Sequence, residues 1–109
     1  MNFLPSDEHF KDILKQSRVT WRPDFLEALM VEECCELGTE LSRGIGRPSR
    51  KDKQKIQEEL ADVIIKAWEL AAHYDDDGGV SRMIVEKLER EKARIEDPTY
   101  GITEKIVQK

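Results

Sequence analysis

Two pairs of acidic residues have the types and spacing needed for metal-dependent chemistry. Glu33 and Glu36 are three residues apart, and so are Glu59 and Asp62. In a helix, residues at this spacing project from the same side, about one turn from each other. Both pairs also border the apolar stripes of their predicted helices, where an unpaired carboxylate is costly to bury. A cation among the carboxylates, or a proton on one of them, would relieve this cost and their repulsion.

The types of metal ligand available near the acidic pairs favour a hard cation. Carboxylate oxygens without an imidazole or thiolate in register select Mg²⁺ or Mn²⁺ over zinc or iron. The adjacent Cys34 and Cys35 and the distant His9 and His73 lack the spacing of a zinc site. Neither acidic pair supplies the Glu-x-x-His motif of a di-iron bundle. We therefore expect Mg²⁺, with Mn²⁺ as a substitute.

The composition narrows the class of protein. The chain has 109 residues, 39% of them hydrophobic and 38% charged, and a formal net charge of -5. It is too apolar for a disordered acidic tail and too charged for a membrane protein, and its length favours one domain. No apolar run approaches the roughly 20 residues of a bilayer span, and residues 1–7 lack a signal-peptide pattern. We expect a cytoplasmic protein with no membrane partner.

Apolar residues recur at helical spacing along the chain, without extended strand-type alternation. The pattern predicts four helices, over about residues 7–17, 24–43, 52–74 and 81–96. Ser6 and Ser81 are the predicted N-caps of the first and last helices, and Gly44 is the predicted C-cap of the second. The apolar residues predicted to face inward from the last helix are Met83, Ile84, Leu88 and Ile95.

These helices predict an all-α, four-helix bundle-like domain over residues 1–98, followed by a polar tail over residues 99–109 that is frayed or packs on a partner chain. Four short helices with few aromatic residues bury limited apolar area, and a domain of this size is marginally stable alone. We therefore expect homo-oligomerisation to complete the core.

The sequence around the acidic pairs resembles that of a known enzyme family. The segment Glu32–Leu37, followed after a basic loop by Glu58–Val63, is similar to the E-x-x-E and E-x-x-D signature of the MazG-like, all-α nucleoside triphosphate pyrophosphohydrolases. The similarity is close over residues 21–72 and loose over the fourth helix. It implies a magnesium-dependent homodimer or homotetramer that cleaves a nucleoside triphosphate between its α and β phosphates, giving a monophosphate and pyrophosphate. It also implies a house-cleaning role, the removal of surplus or non-standard nucleotides.

The resemblance assigns roles to individual residues. A carboxylate at the metal site would take the proton of the attacking water. Glu32 and Glu58 are both candidates for this general base, and one of the four implied ligands is a further alternative. The implied metal ligands are the two acidic pairs: Glu33, Glu36, Glu59 and Asp62.

Basic and aromatic residues are candidates for substrate contacts. Residues 43–55 carry six basic side chains and one acidic one, so this loop has a net charge of +5 and could cover phosphates or serve as a flexible connector. Trp21 matches a tryptophan common in the family and would stack on the base or anchor a core, with Trp68 and Tyr74 as alternatives. Lys87 and Arg90 resemble the family's later basic stretch, although Glu91 replaces an asparagine often found there. The candidate substrate contacts are Trp21, Arg43, Arg47, Lys51, Lys87 and Arg90.

Three alternatives stay open. The acidic pairs could be solvated helix surface, with pairing such as Asp62 to Lys66. The chain could be a non-catalytic oligomerisation or regulatory module whose acidic ridge binds a basic partner. It could also be the related phosphoribosyl-ATP pyrophosphohydrolase of histidine synthesis. A nucleic-acid partner is not expected, because the basic loop is short and lacks interleaved aromatic residues.

Overall fold

A computed structural model describes residues 8–106 as an all-α chain, which confirms the predicted all-α class. Within these residues there is no strand. The predicted cap Ser6 and the tail residues 107–109 lie outside the described part of the chain. The elements in chain order are α1 (Glu8–Thr20), α2 (Pro23–Gly44), a short 3-10 helix (Pro48–Arg50), α3 (Lys53–Tyr74) and α4 (Gly79–Glu96).

The most extensive packing is between α2 and α3, which form an antiparallel hairpin. The Tyr74 hydroxyl at the end of α3 donates a hydrogen bond to Glu27 near the start of α2. A row of buried and half-buried residues recurs along each helix at steps of three and four, as expected when two helices pack along one seam. On α2 these positions are Leu26, Met30, Glu33, Leu37, Glu40 and Gly44, and on α3 they are Ile56, Glu59, Val63, Lys66, Leu70 and His73.

The first helix packs on α3 through a buried polar contact. The Ser17 hydroxyl donates to the carboxylate of Glu69, and Lys66 Nζ lies 2.8 Å from the other carboxylate oxygen. Ser17 is the buried residue of α1, whereas the apolar Phe10 and Ile13 of the same helix are about half exposed. A hydroxyl and an ammonium group therefore satisfy the one carboxylate that α1 covers.

The helix ends follow local chemistry that the sequence partly predicts. Asp52 caps α3, because its Oδ1 accepts from the Lys55 backbone N–H at 3.0 Å. The first helix runs to Thr20, three residues past the predicted end. The glycine with positive φ after α2 is Gly46, at 69°, and not the predicted Gly44, which lies inside the helix. A Cβ on Gly44 would overlap the side-chain stem of Lys51, so the loop packs closely against this helix end.

Residues 75–106 form a second compact unit built on α4. The predicted N-cap Ser81 is wrong: Gly78, with φ of 74°, occupies that position. Ser81 instead donates from its backbone N–H and its hydroxyl to Asp75. After α4, Arg94 lies over the ring of Tyr100, with 5.2 Å between Cζ and the ring centroid, so the start of the tail turns back on the helix.

Apolar side chains are only partly covered in the single chain. Among the described residues, Leu26 is the one fully buried large side chain. The α4 residues that were predicted to face inward are half or more exposed, and so are several on the other helices. No helix in residues 8–106 combines the length and apolarity of a bilayer span.

Candidate metal centre

Three carboxylates meet on the α2–α3 hairpin. Glu33 of α2 and Glu59 and Asp62 of α3 each present one oxygen, and these oxygens all lie within 4.8 Å of one another. The antiparallel packing brings the middle of α2 beside the first half of α3, and the spacing of three places Glu59 and Asp62 on one side of their helix. Three of the four predicted ligands therefore converge in a group that suits a metal ion.

Burial separates two of the three carboxylates from a solvated acidic surface, whereas Asp62 is exposed. Glu59 is only 8% exposed, and Glu33 is half-buried. The Oε2 atoms of both residues are buried without a hydrogen-bond partner. A buried carboxylate oxygen without a donor is unfavourable by several kcal/mol unless a cation or proton compensates it.

The surrounding negative charges make a compensating cation or proton still more favourable. Burial raises the pKa of Glu33, and the negative charges of Asp62, Glu36, Glu59 and Glu32 raise it further. Burial likewise raises the pKa of Glu59, followed by the charges of Glu36 and Asp62, whereas Lys55 acts in the opposite direction. Because burial and like charges both disfavour the ionised carboxylates, the cluster favours the binding of a proton or a cation.

Glu36, the fourth predicted ligand, lies beside the cluster and not within the group of three. It is exposed and raises the pKa of Glu59 through a side-chain hydrogen bond and its charge. Glu36 and Glu59 also line a cavity of about 410 Å³. The other residues lining this cavity are Thr39, Glu40, Arg43 and Lys55.

The two candidate bases differ in their surroundings. Glu58 is exposed and accepts a hydrogen bond from Gln54 Nε2 at 3.5 Å, on the outer side of α3. Glu32 is exposed, and its charge is among those that raise the pKa of Glu33 after the larger effect of burial. Of the two, Glu32 is the one with an electrostatic connection to the carboxylate cluster.

The basic candidates of the loop occupy different positions. Arg43 lines the cavity beside the cluster and forms an ion pair with Glu40, with 3.0 Å between Nη1 and Oε2. Lys51 packs its stem against Gly44, and Arg47 is exposed at the start of the 3-10 helix. Only Arg43 is thus brought beside the carboxylates.

The aromatic candidate lies near the start of α2, and the α4 candidates belong to the second unit. Trp21 contacts Phe25, with 5.2 Å between ring centroids, at an open pocket of about 480 Å³ near the start of α2. The eight residues from Phe25 to Glu33 correspond to about 12 Å of helix, so Trp21 is a feature separate from the cluster. Lys87 and Arg90 are exposed on α4, in the second unit.

Two residues of this region are not among the candidate substrate contacts: Glu40 was missed from the sequence, and Lys55 was counted only as one of the six basic side chains of residues 43–55. Glu40 is 8% exposed, and Lys55 is an exposed side chain on the first turn of α3. Their spacing carried a signal, because Glu40 is seven residues after Glu33 and Lys55 is four residues before Glu59. Steps of seven and four keep residues on the same helix face, so both could have been placed beside the acidic pairs.

Comparisons of the chain with protein-family models, curated proteins and solved structures find no match. The carboxylates, their burial and their surroundings are therefore the basis for assigning a function. The cluster is an oxygen-only donor set with two unpaired buried oxygens, which is the chemistry that suits a hard divalent cation.

Proposed function

We propose that this chain is a Mg²⁺-dependent nucleoside triphosphate pyrophosphohydrolase of the MazG-like type, which cleaves between the α and β phosphates and acts in nucleotide house-cleaning. The observation that carries the proposal is the convergence of Glu33, Glu59 and Asp62, with buried Oε2 atoms of Glu33 and Glu59 that lack a partner. The order and spacing of both acidic motifs give it further support.

The residues present fit a magnesium or manganese ion. Glu33, Glu59 and Asp62 would hold it, with Glu36 close enough to complete the set or to hold a second ion. When bound, the ion supplies positive charge for the phosphate oxygens and acidity for water. The unpaired buried oxygens of Glu33 and Glu59 would then gain the partner that the chain itself does not provide.

The chain also needs a proton acceptor. Hydrolysis joins a water oxygen to phosphorus and breaks the phosphorus bond to the bridging oxygen, so the water must lose a proton as pyrophosphate departs. Glu32 is our candidate for this acceptor, because it is solvent-exposed and electrostatically close to Glu33. Glu58 is the weaker candidate, since Gln54 already donates to its carboxylate.

We also propose that the enzyme is a homodimer or homotetramer. The supporting observation is the small core: Leu26 is fully buried, whereas Phe10, Phe25, Leu60 and Ile65 are all at least two-fifths exposed. Association of identical chains would remove such surface from water. Sedimentation of the purified chain tests this proposal, and a monomer at micromolar concentration would contradict it.

The activity is tested by incubating the protein with Mg²⁺ and a panel of nucleoside triphosphates while monophosphate and pyrophosphate are measured. Asp62→Asn is expected to lower turnover by about a hundredfold or more, since even residues that only orient metal ligands contribute tenfold to a hundredfold. Glu89→Gln, which removes an exposed α4 carboxylate, is the matched control and should leave turnover unchanged.

Calorimetric titration with Mg²⁺ or Mn²⁺ provides a readout that does not depend on the substrate chosen. Binding by the wild type and its loss in Asp62→Asn are expected. Absence of both metal binding and turnover would contradict the proposal and favour the non-catalytic module. Turnover of phosphoribosyl-ATP alone would assign the related histidine-synthesis activity instead.

A further inference from the structure

The cavity beside the carboxylate cluster has a mixed charge that a metal site alone does not require. It measures about 410 Å³ and lies between the C-terminal part of α2 and the first turns of α3. Glu36 and Glu59 line it from the side of the cluster, and Arg43 and Lys55 also line it. Glu59 is more than nine-tenths buried and has an oxygen without a partner, so the cavity adjoins a carboxylate that calls for a cation.

Arg43 is held in this cavity by a buried carboxylate. Glu40, 8% exposed, accepts from Arg43 Nη1 at 3.0 Å, one helical turn away. A guanidinium group has five N–H donors, and this bond uses one of them. Because Glu40 is fixed in the α2–α3 seam, it orients Arg43 while leaving donors for a ligand.

Lys55 adds a second positive charge. Its side chain has no ion pair among residues 8–106, although its charge acts on Glu59. It lies in the first turn of a 22-residue helix, where the backbone dipoles add positive potential. An unpaired lysine and a restrained arginine beside buried carboxylates can bind an anion that is itself complexed with a divalent cation.

We propose that this cavity, the anion pocket (Glu36, Thr39, Glu40, Arg43, Lys55 and Glu59), binds the pyrophosphate portion of the substrate, with Arg43 and Lys55 as phosphate ligands and Glu40 as a positioning residue. The inference rests on the proposed function and specifies the orientation of the bound substrate. The terminal phosphates point toward the loop between α2 and α3, and the nucleoside lies on the opposite side of the carboxylate cluster. Inorganic pyrophosphate is therefore the simplest ligand of the pocket.

The test is calorimetric titration of inorganic pyrophosphate, in the presence of Mg²⁺, into the full chain and its variants. Lys55→Gln is expected to weaken binding about tenfold, the effect of losing one charge-assisted hydrogen bond. Its KM for the triphosphate should rise by a similar factor. Lys15→Gln, which removes an exposed lysine of α1, is the control and should bind as the wild type does.

Glu40→Gln tests the positioning role separately. It should raise KM less than Arg43→Gln does, and the double variant should be no worse than Arg43→Gln alone, because Glu40 acts through Arg43. Additive losses in the double variant would contradict this role. A destabilised fold would appear in the thermal melt and would lower kcat and Mg²⁺ affinity together with pyrophosphate binding.

The outcomes separate this inference from the proposed function. Normal turnover with an unchanged KM in Lys55→Gln would overturn the anion pocket alone. Pyrophosphate binding that depends on Lys55, without turnover of any nucleotide, would support the pocket and contradict the proposed activity. Equal pyrophosphate binding by the wild type and Lys55→Gln, or none by either, would overturn the inference whatever the enzyme hydrolyses.

Discussion

Glu59 and Glu69 lie on the same helix, ten residues apart, and are 8% and 7% exposed. Glu69 meets α1, where the Ser17 hydroxyl and the Lys66 ammonium donate to it. Glu59 meets α2, where it faces other carboxylates and keeps one oxygen without a partner. Two carboxylates with equal burial therefore have opposite chemical surroundings on one helix.

The electrostatic consequences are opposite as well. Burial raises the pKa of Glu69, but the hydrogen bonds from Lys66 and Ser17 and the Lys66 charge outweigh it, so the pKa is lowered overall. Burial and like charges raise the pKa of Glu59. The comparison teaches that burial does not by itself mark a functional carboxylate. The buried oxygen without a partner is what makes Glu59 a candidate ligand, because a cation could compensate it.

The largest effect is expected from neutralising the carboxylate that lacks a partner. Glu59→Gln should lower Mg²⁺-dependent turnover by at least about a hundredfold, because it removes a proposed metal ligand. In metal-free buffer the variant should be as stable as the wild type or more so, since a repelled charge is removed. Turnover and thermal melts with EDTA and with Mg²⁺ measure the two effects. In the melts, Mg²⁺ should stabilise the wild type but not the variant.

A loss of stability in Glu59→Gln without metal would contradict the contrast between Glu59 and Glu69. It would mean that the Glu59 carboxylate is satisfied within the fold, as the Glu69 carboxylate is. An equal rise in melting temperature with Mg²⁺ for both proteins would place the ion elsewhere.

The sequence predicts the acidic cluster better than it predicts its contrast with Glu69. Helical spacing and a short connection leave few ways to pack α2 against α3, so the two acidic pairs could be expected near each other. Their role as ligands came from the family resemblance, and periodicity does not separate Glu36 from the three residues that converge. The bond from Ser17 to Glu69 joins residues 52 apart in sequence, and local spacing carries no information about such a tertiary contact. Ser81 was misassigned for a related reason: Asp75 competes for its N–H and hydroxyl, and Gly78 takes the cap position.

The next effect in size concerns the carboxylate that has partners. Glu69→Gln should lower the free energy of unfolding by about 1–2 kcal/mol, because it weakens hydrogen bonds to a charged group in a buried site. Turnover and Mg²⁺ affinity per folded molecule should stay at the wild-type level. Urea denaturation measures the first quantity, and Ser17→Ala should give a smaller loss in the same direction. A fall in Mg²⁺ affinity with unchanged stability would show that Glu69 belongs to the site.

The smallest effect, and the sharpest discriminator, is the pH dependence of stability in metal-free buffer. Glu69 has a lowered pKa in the folded state, so its stabilisation is present above the ordinary glutamate pKa of about 4.3 and is lost as pH falls through the lower, folded value. Glu59 has a raised pKa in the folded state, so its effect on stability has the opposite sign. Its ionised form destabilises the fold as pH rises above about 4.3.

Denaturation of the wild type, Glu59→Gln and Glu69→Gln at several pH values tests both effects. The free energy of unfolding of each variant, relative to the wild type, should change with pH in opposite directions. Above pH 6, Glu59→Gln should be the most stable of the three and Glu69→Gln the least, and both differences should shrink toward pH 3. Parallel curves for the two variants would show that the two carboxylates share one kind of environment, and Glu59 would then have no unmet demand for a cation.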